Sequence, residues 1–423
     1  MSILPLSNIR VVDFGSAWAG PMAASLLADL GAEVIKVESR ARLDGLRLGR
    51  PIVGEDIAGG DRGLWPELQP VFHGINRNKL SVTLNLKTDE GLGLVRELIA
   101  RSDLVMNNYS PGVLDRLGLN YSQLCKLRAD IILVSMPSAG ESGPLRDILA
   151  YAPIIQALSG LMSLVGYRQG ENREGDSSED EQLVGELQAP WSDVVAAMHA
   201  SLAAVAALRH RNQTGEGQFI EVAQLEATTS MLGEGVLNYQ MTGRVEGPRG
   251  NFDPDFAPHN NYPCTGDDQW VSIAVRTDDE WRAFGQALGN PDWSGDARFA
   301  GKASRQLNIK DLDRMVETWT RQRSAEEVVA VLQQHGVAAM KVMNIEDQFA
   351  DPHLQERGAY VEIEHPHVGI EWLFGMPWLL SDTPGGVRTP APSLGQHNEY
   401  VLCQLLGLSA QELERLQAAQ VVY

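Results

Sequence analysis

In the stretch Gln188–Arg211, QAPWSDVVAAMHASLAAVAALRHR, one carboxylate stands between a Pro-Trp pair and a long apolar run. Aspartate is among the strongest helix N-caps, because its oxygens accept the free amides of the first turn. The helix dipole would hold the same Asp193 carboxylate ionised. An ionised, desolvated carboxylate is also what a nucleophilic aspartate requires. The stretch alone leaves both readings open.

A second candidate feature is basic. Arg40, Arg42, Arg47 and Arg50 follow one strand-like run, and Arg77 and Lys79 precede another. Guanidinium forks and ammonium groups suit phosphates. Solvated loop charges would look the same. Other chemistry finds no motif. Gly15 and Gly20 do not make a GxGxxG or a Walker loop, and there is no GxSxG nucleophile elbow. The nine histidines form no HExxH, and the HPH at His365–His367 reads as a turn rather than a metal site. No metal is expected.

The elements that must position these groups alternate. Ile9–Phe14, Ala32–Glu38, Ser81–Leu86, Leu104–Asn108 and Ile131–Pro137 read as strands. Gly20–Gly31 and Asp89–Asp103 read as helices between them. This alternation predicts an α/β fold with a parallel sheet covered by helices, whose ligands bind at the carboxyl ends of the strands. A helix from Asp193 and a strand at Phe219–Ala223 extend the pattern. From about Val245 the texture changes. A Gly-, Pro- and Asn-rich loop leads into a strand, helices near 278–288, 306–321 and 325–335, and the strand AAMKVMN. This predicts a smaller α+β domain inserted into the larger one. The expected division is 1–225, 226–350 and 351–423. The acidic segment Gly166–Gln188 reads as a surface excursion, with a lid as the other reading.

Bulk composition bounds the rest. A chain of 423 residues exceeds the size of one core, so two domains are expected. The net charge of −20 argues against nucleic acid or an anionic membrane surface as partner. The sequence shows neither a signal-peptide pattern nor a run of roughly 18 apolar residues. Three scattered cysteines, Cys125, Cys264 and Cys403, suit a reducing cytoplasm.

Read together, the landmarks VVDFGSAWAGPMAASLLADLGAEVIKVE, INRNKLSVTLNLK, NNYSPGVLDRLGLNY, YAPIIQALSGLMSLVG, ALRHRNQTGEGQFIEVA, DARFA, ADPHLQERG and APSLGQHNEYVL resemble the class III CoA-transferases of the CaiB/BaiF type. Their order and spacing span nearly the whole chain. The resemblance implies a Rossmann-like large domain, an interlaced homodimer, and acyl-CoA and a small carboxylic acid as substrates, with no prosthetic group. Some members work as heteromers, so a homologous second subunit is a further option. The family's catalytic aspartate falls on Asp193. It would form a mixed anhydride, then an aspartyl-CoA thioester. CoA contacts would fall on Ala17, Trp18, Arg40, Lys79, Asn108, Tyr109, Arg116 and Tyr151. Arg40 lies one position from the usual arginine, which here is Ser39.

The sequence also departs from the formyl-CoA transferase pattern. Leu149 replaces a lysine, Ala152 replaces a glutamate, and NFDPDFAPHNNYP does not match the glycine-rich loop. A formyl or oxalate substrate is therefore not expected. The related racemases pair the aspartate with a histidine near the position of Tyr151, so racemisation ranks second. Trp18, Trp191, Phe256 and Tyr262 are candidate walls of an apolar acyl pocket. Succinyl-CoA as donor and an aromatic or larger organic acid as acceptor complete the expectation.

Overall fold

Strands with apolar residues on both faces must be covered on both sides, and the first part of the chain does this. In a computed structural model, described for residues 3–51, 55–166, 187 and 189–423 (side chains of 55 and 56 excepted), the first elements follow in order. They are β1 (Arg10–Asp13), α1 (Ala19–Asp29), β2 (Glu33–Glu38), α2 (Pro70–Asn76), β3 (Lys79–Thr83), α3 (Asp89–Ala100), β4 (Leu104–Asn107) and β5 (Ile132–Ser135). Then come α4 (Ala152–Leu158), α5 (Trp191–Thr214), β6 (Phe219–Glu221), α6 (Gln224–Thr229) and α7 (Gly233–Thr242). The six strands form one parallel sheet in the order β3-β2-β1-β4-β5-β6. Val12 pairs with Ile35 on one side and Val105 on the other. The winding direction reverses between β1 and β4, which is where such sheets open a crevice at their carboxyl ends.

Two apolar layers sandwich this sheet. One is built on small residues: Ala19, Ala23, Ala24 and Ala28 of α1 pack with Ala196, Ala197, Ala200, Ala204 and Ala207 of α5. Side chains this small let two helices approach closely, and Ser201 Oγ reaches the Ala23 carbonyl at 3.2 Å. The alanine spacing in α5 is helical, with residues three or four apart on one face. By length and composition alone α5 could cross a membrane, but its alanine face is core. It ends at Gly215, whose φ of 78° lets its amide cap the Arg211 carbonyl at 2.7 Å.

The described chain divides into two compact units. The second contains Gly247–Pro352 and residues 163–166. Its antiparallel sheet is β7 (His259–Pro263), β8 (Trp270–Ala274) and β9 (Ala338–Lys341), in that order. Helices α8 (Asp278–Ala287), α9 (Ile309–Thr320) and α10 (Ala325–Gln334) cover it around Trp281, Phe284, Phe299, Leu312 and Val328. The first unit holds the remainder, including the hairpin β10 (Tyr360–His365) and β11 (Gly369–Phe374), a π-helical turn at Tyr400–Leu405, and α11 (Ala410–Ala418). Val401, Leu402, Leu416 and Val422 fill the sheet's other layer. These units differ from the expected division in two places: α7 sits in the first unit because the boundary falls after Glu246, and residues 163–166 group with the second. The acidic segment 167–186 lies outside the described residues.

Candidate active site

Asp193 is the third residue of α5, in its first turn. It is not the N-cap. That position belongs to Pro190, with no side-chain cap bond. The sequence reading is corrected accordingly: the cap lies three residues earlier, at Pro190. Burial pushes the Asp193 carboxyl up to about 6, against the opposing pull of the Ala19 backbone amide and of its own. The expected low, dipole-held carboxylate is therefore also corrected, since desolvation outweighs the amides. At neutral pH the group is still mostly ionised, yet poorly solvated and so reactive.

The Ala19 amide belongs to the first residue of α1, so two helix heads meet at this carboxylate. The alanine seam between α1 and α5 makes the approach possible. A third head lies alongside. Gln156 of α4 accepts the Trp191 amide at 2.8 Å, and Ser192 Oγ reaches the Ala152 carbonyl at 3.4 Å. Tyr151, the exposed N-cap of α4, thus flanks the start of α5.

The turn from β1 into α1 is tightly built. A Cβ on Gly15 would meet Asp13 Oδ1 at 2.6 Å and the Gly20 carbonyl carbon at 2.8 Å, and one on Gly20 would meet Asn108 Oδ1 at 2.9 Å. Both glycines serve close approach rather than a phosphate loop. Asn108 holds the turn from the next strand, accepting the Ser16 amide at 2.9 Å and donating to the Ser16 carbonyl at 2.8 Å. Ala17 is exposed, with φ 57°. Trp18 caps α1, and its buried Nε1 finds no acceptor among the described residues. Tyr109 packs on Phe14, and burial pushes its phenol up. Near the carboxyl ends of β4 and β5, a cavity of about 220 Å³ is lined by Asn107, Ser110, Asp115, Tyr121, Ser135 and Glu141. Arg116 is exposed in the short helix beside it, and Arg40 is exposed after β2.

Lys79 is corrected. Its ammonium is fully enclosed, donating to Asp13 Oδ2 at 2.8 Å, the Pro21 carbonyl at 2.8 Å and Asn76 Oδ1 at 2.9 Å. Burial lowers it to about 8, with Asp13 opposing. It braces α1 from beneath and offers no phosphate a surface. Much of the basic cluster is likewise internal. Arg47 pairs with Glu38 and Glu67, and Arg77 with Asp29. Of the proposed aromatic walls, Tyr262 is buried in the second unit's own core and donates to Asp313 at 2.5 Å. Phe256 packs against His259 in that unit, with the rings tilted at 49°.

The sequence reading missed Lys36 and Asp44. Lys36 lies inside β2, 1% exposed, and pairs with Asp44 at 2.9 Å. A charge within an apolar strand was the available signal, because a buried charge requires a partner. Burial would lower Lys36, but Asp44, Asp13 and Glu38 outweigh it and hold it above the usual range.

Among the described residues, one cluster offers metal-type ligands: atoms of His73, His365 and Glu371 lie within 4.8 Å of one another. Both ring nitrogens of His73 already face oxygens, Glu371 Oε2 at 2.7 Å and the Glu67 carbonyl at 3.0 Å. His365 stacks on it at 4.1 Å, and burial pushes it down to about 4. A cation would have to displace the His73–Glu371 bond. His365 ends β10, and His367 lies in the turn that follows.

Comparison with known proteins gives a consistent picture. The profile of CoA-transferase family III matches residues 6–398. The chain is 33% identical to succinyl-CoA–D-citramalate CoA-transferase of Chloroflexus aurantiacus, over 99% of this chain and 98% of that one. It is 32% identical to the β subunit of that organism's succinyl-CoA–L-malate CoA-transferase, with the same coverage. A crystal structure of a CaiB/BaiF family protein from Brucella suis superposes with a TM-score of 0.84 at 29% identity, covering 96% of this chain and 100% of that one.

Proposed function

Because the chain belongs to CoA-transferase family III, and is a CoA-transferase, we propose that Asp193 carries CoA from an acyl-CoA thioester to a free carboxylic acid. The observation that carries this reading is the desolvated Asp193 carboxylate facing the head of α1. A carboxylate oxygen attacks the thioester carbonyl, the C–S bond breaks, and CoA thiolate leaves an acyl-aspartyl anhydride. The thiolate attacks the aspartyl carbonyl, releasing the donor acid and leaving an aspartyl-CoA thioester. The acceptor carboxylate attacks that thioester, giving a second anhydride and thiolate. The thiolate then takes the acceptor acyl group and frees Asp193. Every nucleophile is already an anion, so no general base is consumed. Exclusion of water protects both anhydrides.

We read CoA as a substrate of this site, with Ala17, Trp18 and Asn108 at the β1–α1 turn, Tyr109 beside Phe14, and the exposed Arg40 and Arg116 as its contacts. We read the six-stranded unit as Rossmann-like, from its strand order. The relatives named for succinyl-CoA support a dicarboxylate such as succinate as donor, and the acceptors in their names are the small hydroxy acids D-citramalate and L-malate rather than an aromatic or larger acid. A second apolar stripe on α5, Trp191, Met198, Leu202 and Val205, is exposed in the single chain. It supports burial in an interlaced homodimer or against a homologous subunit, as in the relative named a β subunit. All three cysteines are free, which suits the cytoplasm.

The test is a matrix of acyl-CoA donors against carboxylic acids, read by mass spectrometry. Asp193-dependent appearance of a new acyl-CoA from succinyl-CoA is expected. No transfer from any donor, with solvent deuterium entering the α-carbon of a 2-methylacyl-CoA, would replace the reading with racemisation.

A further inference from the structure

Three successive backbone amides at the β1–α1 turn are each taken by a side-chain oxygen from a different place. Gly15 N–H donates to Asp13 Oδ1 at 2.7 Å, Ser16 N–H to Asn108 Oδ1 at 2.9 Å, and Ala17 N–H to Asp44 Oδ1 at 3.0 Å. The next amide that matters, Ala19 N–H, acts on Asp193. Of the three clamps, the one at Ala17 holds an unfavourable conformation. Its φ of 57° is left-handed, where the Cβ of an L-residue crowds the following carbonyl. Something must over-determine that geometry.

Asp44 has the means. It is 7% exposed, and the same Oδ1 also accepts the Leu46 amide at 3.0 Å. Its other oxygen meets Lys36 Nζ at 2.9 Å, and Lys36 in turn donates to the Gly15 carbonyl at 2.6 Å. Lys36 thereby joins the Asp44 clamp to the start of the turn it closes. Burial would raise the Asp44 carboxyl, but Lys36 and the two amides hold it below the usual range.

We propose that Asp44, pinned by Lys36, is a positioning residue for the transfer reaction: it locks the left-handed Ala17 turn so that the α1 head is aimed at Asp193. The inference rests on the reading of Asp193 as nucleophile. Asp44 touches neither the reacting atoms nor the substrate in this scheme. It acts through the Ala17–Ala19 backbone. With Asp44 absent, Ala17 relaxes toward ordinary φ, the Ala19 amide turns away, and Asp193 loses a donor that favours its anion.

The experiment measures CoA-adduct formation from succinyl-CoA against pH in the full chain, with intact folding checked at each pH. Asp44→Ala should slow adduct formation by about tenfold or more, the effect of losing a hydrogen bond to a charged group. It should also move the acid limb of the profile upward. Asp44→Asn retains an oxygen for the Ala17 amide and should recover part of the rate, and it serves alone if the alanine variant does not fold. Glu67→Gln weakens the neighbouring Arg47 pairing without touching the turn, so it should leave the limb in place. A folded Asp44 variant with wild-type rate and limb overturns the proposal, as does an equal shift in Glu67→Gln. If Asp193→Asn still forms the adduct, the nucleophile reading itself fails, a separable outcome.

Discussion

Replacing Asp193 with Asn should abolish transfer and, at the same time, stabilise the protein. The second effect follows from burial. The carboxyl rises from 3.8 to about 6 on folding because its charged form is desolvated. That interval corresponds to roughly 3 kcal/mol at most. A folded carboxyl with a raised pKa binds its proton more tightly than the unfolded one, so this group's cost is full at pH 8. It declines as pH falls through about 6, and is lost below 3.8. Asparagine has nearly the same shape and no charge. Asp193→Asn should therefore exceed wild type by roughly 1–3 kcal/mol at pH 8, with the gap closing by about pH 4. Urea denaturation of both proteins at pH 8, 6 and 4 reads this directly. An asparagine variant equally or less stable at pH 8, or a gap that does not shrink with acid, would refute the argument that burial dominates at Asp193.

Three further outcomes are expected. Adduct formation from acyl-CoA without an acceptor acid should be half-maximal near pH 6 and about tenfold down at pH 5, whereas an ordinary carboxylate would keep the rate nearly flat down to about pH 5. Lys79→Ala should cost about 3 kcal/mol or more, because Asp13 loses its buried partner, while CoA affinity of the folded variant is unchanged in calorimetry; a stable variant with weakened CoA binding would restore Lys79 to the phosphate. Leu202→Glu, at a residue 70% exposed in the single chain, should lower the sedimentation mass if the α5 stripe is an intersubunit face, and an unchanged mass would place the interface elsewhere.

The sheet was legible because its strands are short apolar runs separated by helical ones, and β1 to β5 fall within or beside the expected runs. Asp193 was legible through its place among the landmarks. Its environment was not. Whether a carboxylate caps its own helix or faces another depends on the approach of α1 to α5, and only packing fixes that. The alanine spacing held the information, but alanine at helical spacing also fits an ordinary core. The basic cluster was misread for a related reason. Arg47, Arg77 and Lys79 look like phosphate ligands by type, yet each has an acidic partner distant in sequence: Glu38 and Glu67, Asp29, and Asp13. Charge counts do not reveal pairing. The boundary after Glu246 was missed because α7 resembles a linker helix in composition.

The central claim is that CoA is carried on the Asp193 side chain. Acid-quenched mass spectrometry of the enzyme with succinyl-CoA, followed by peptide mapping, tests it most directly. The account predicts a CoA thioester on the peptide containing Asp193, lost on adding an acceptor acid and absent from Asp193→Asn. A CoA adduct on another residue, or one that survives in Asp193→Asn, would contradict it.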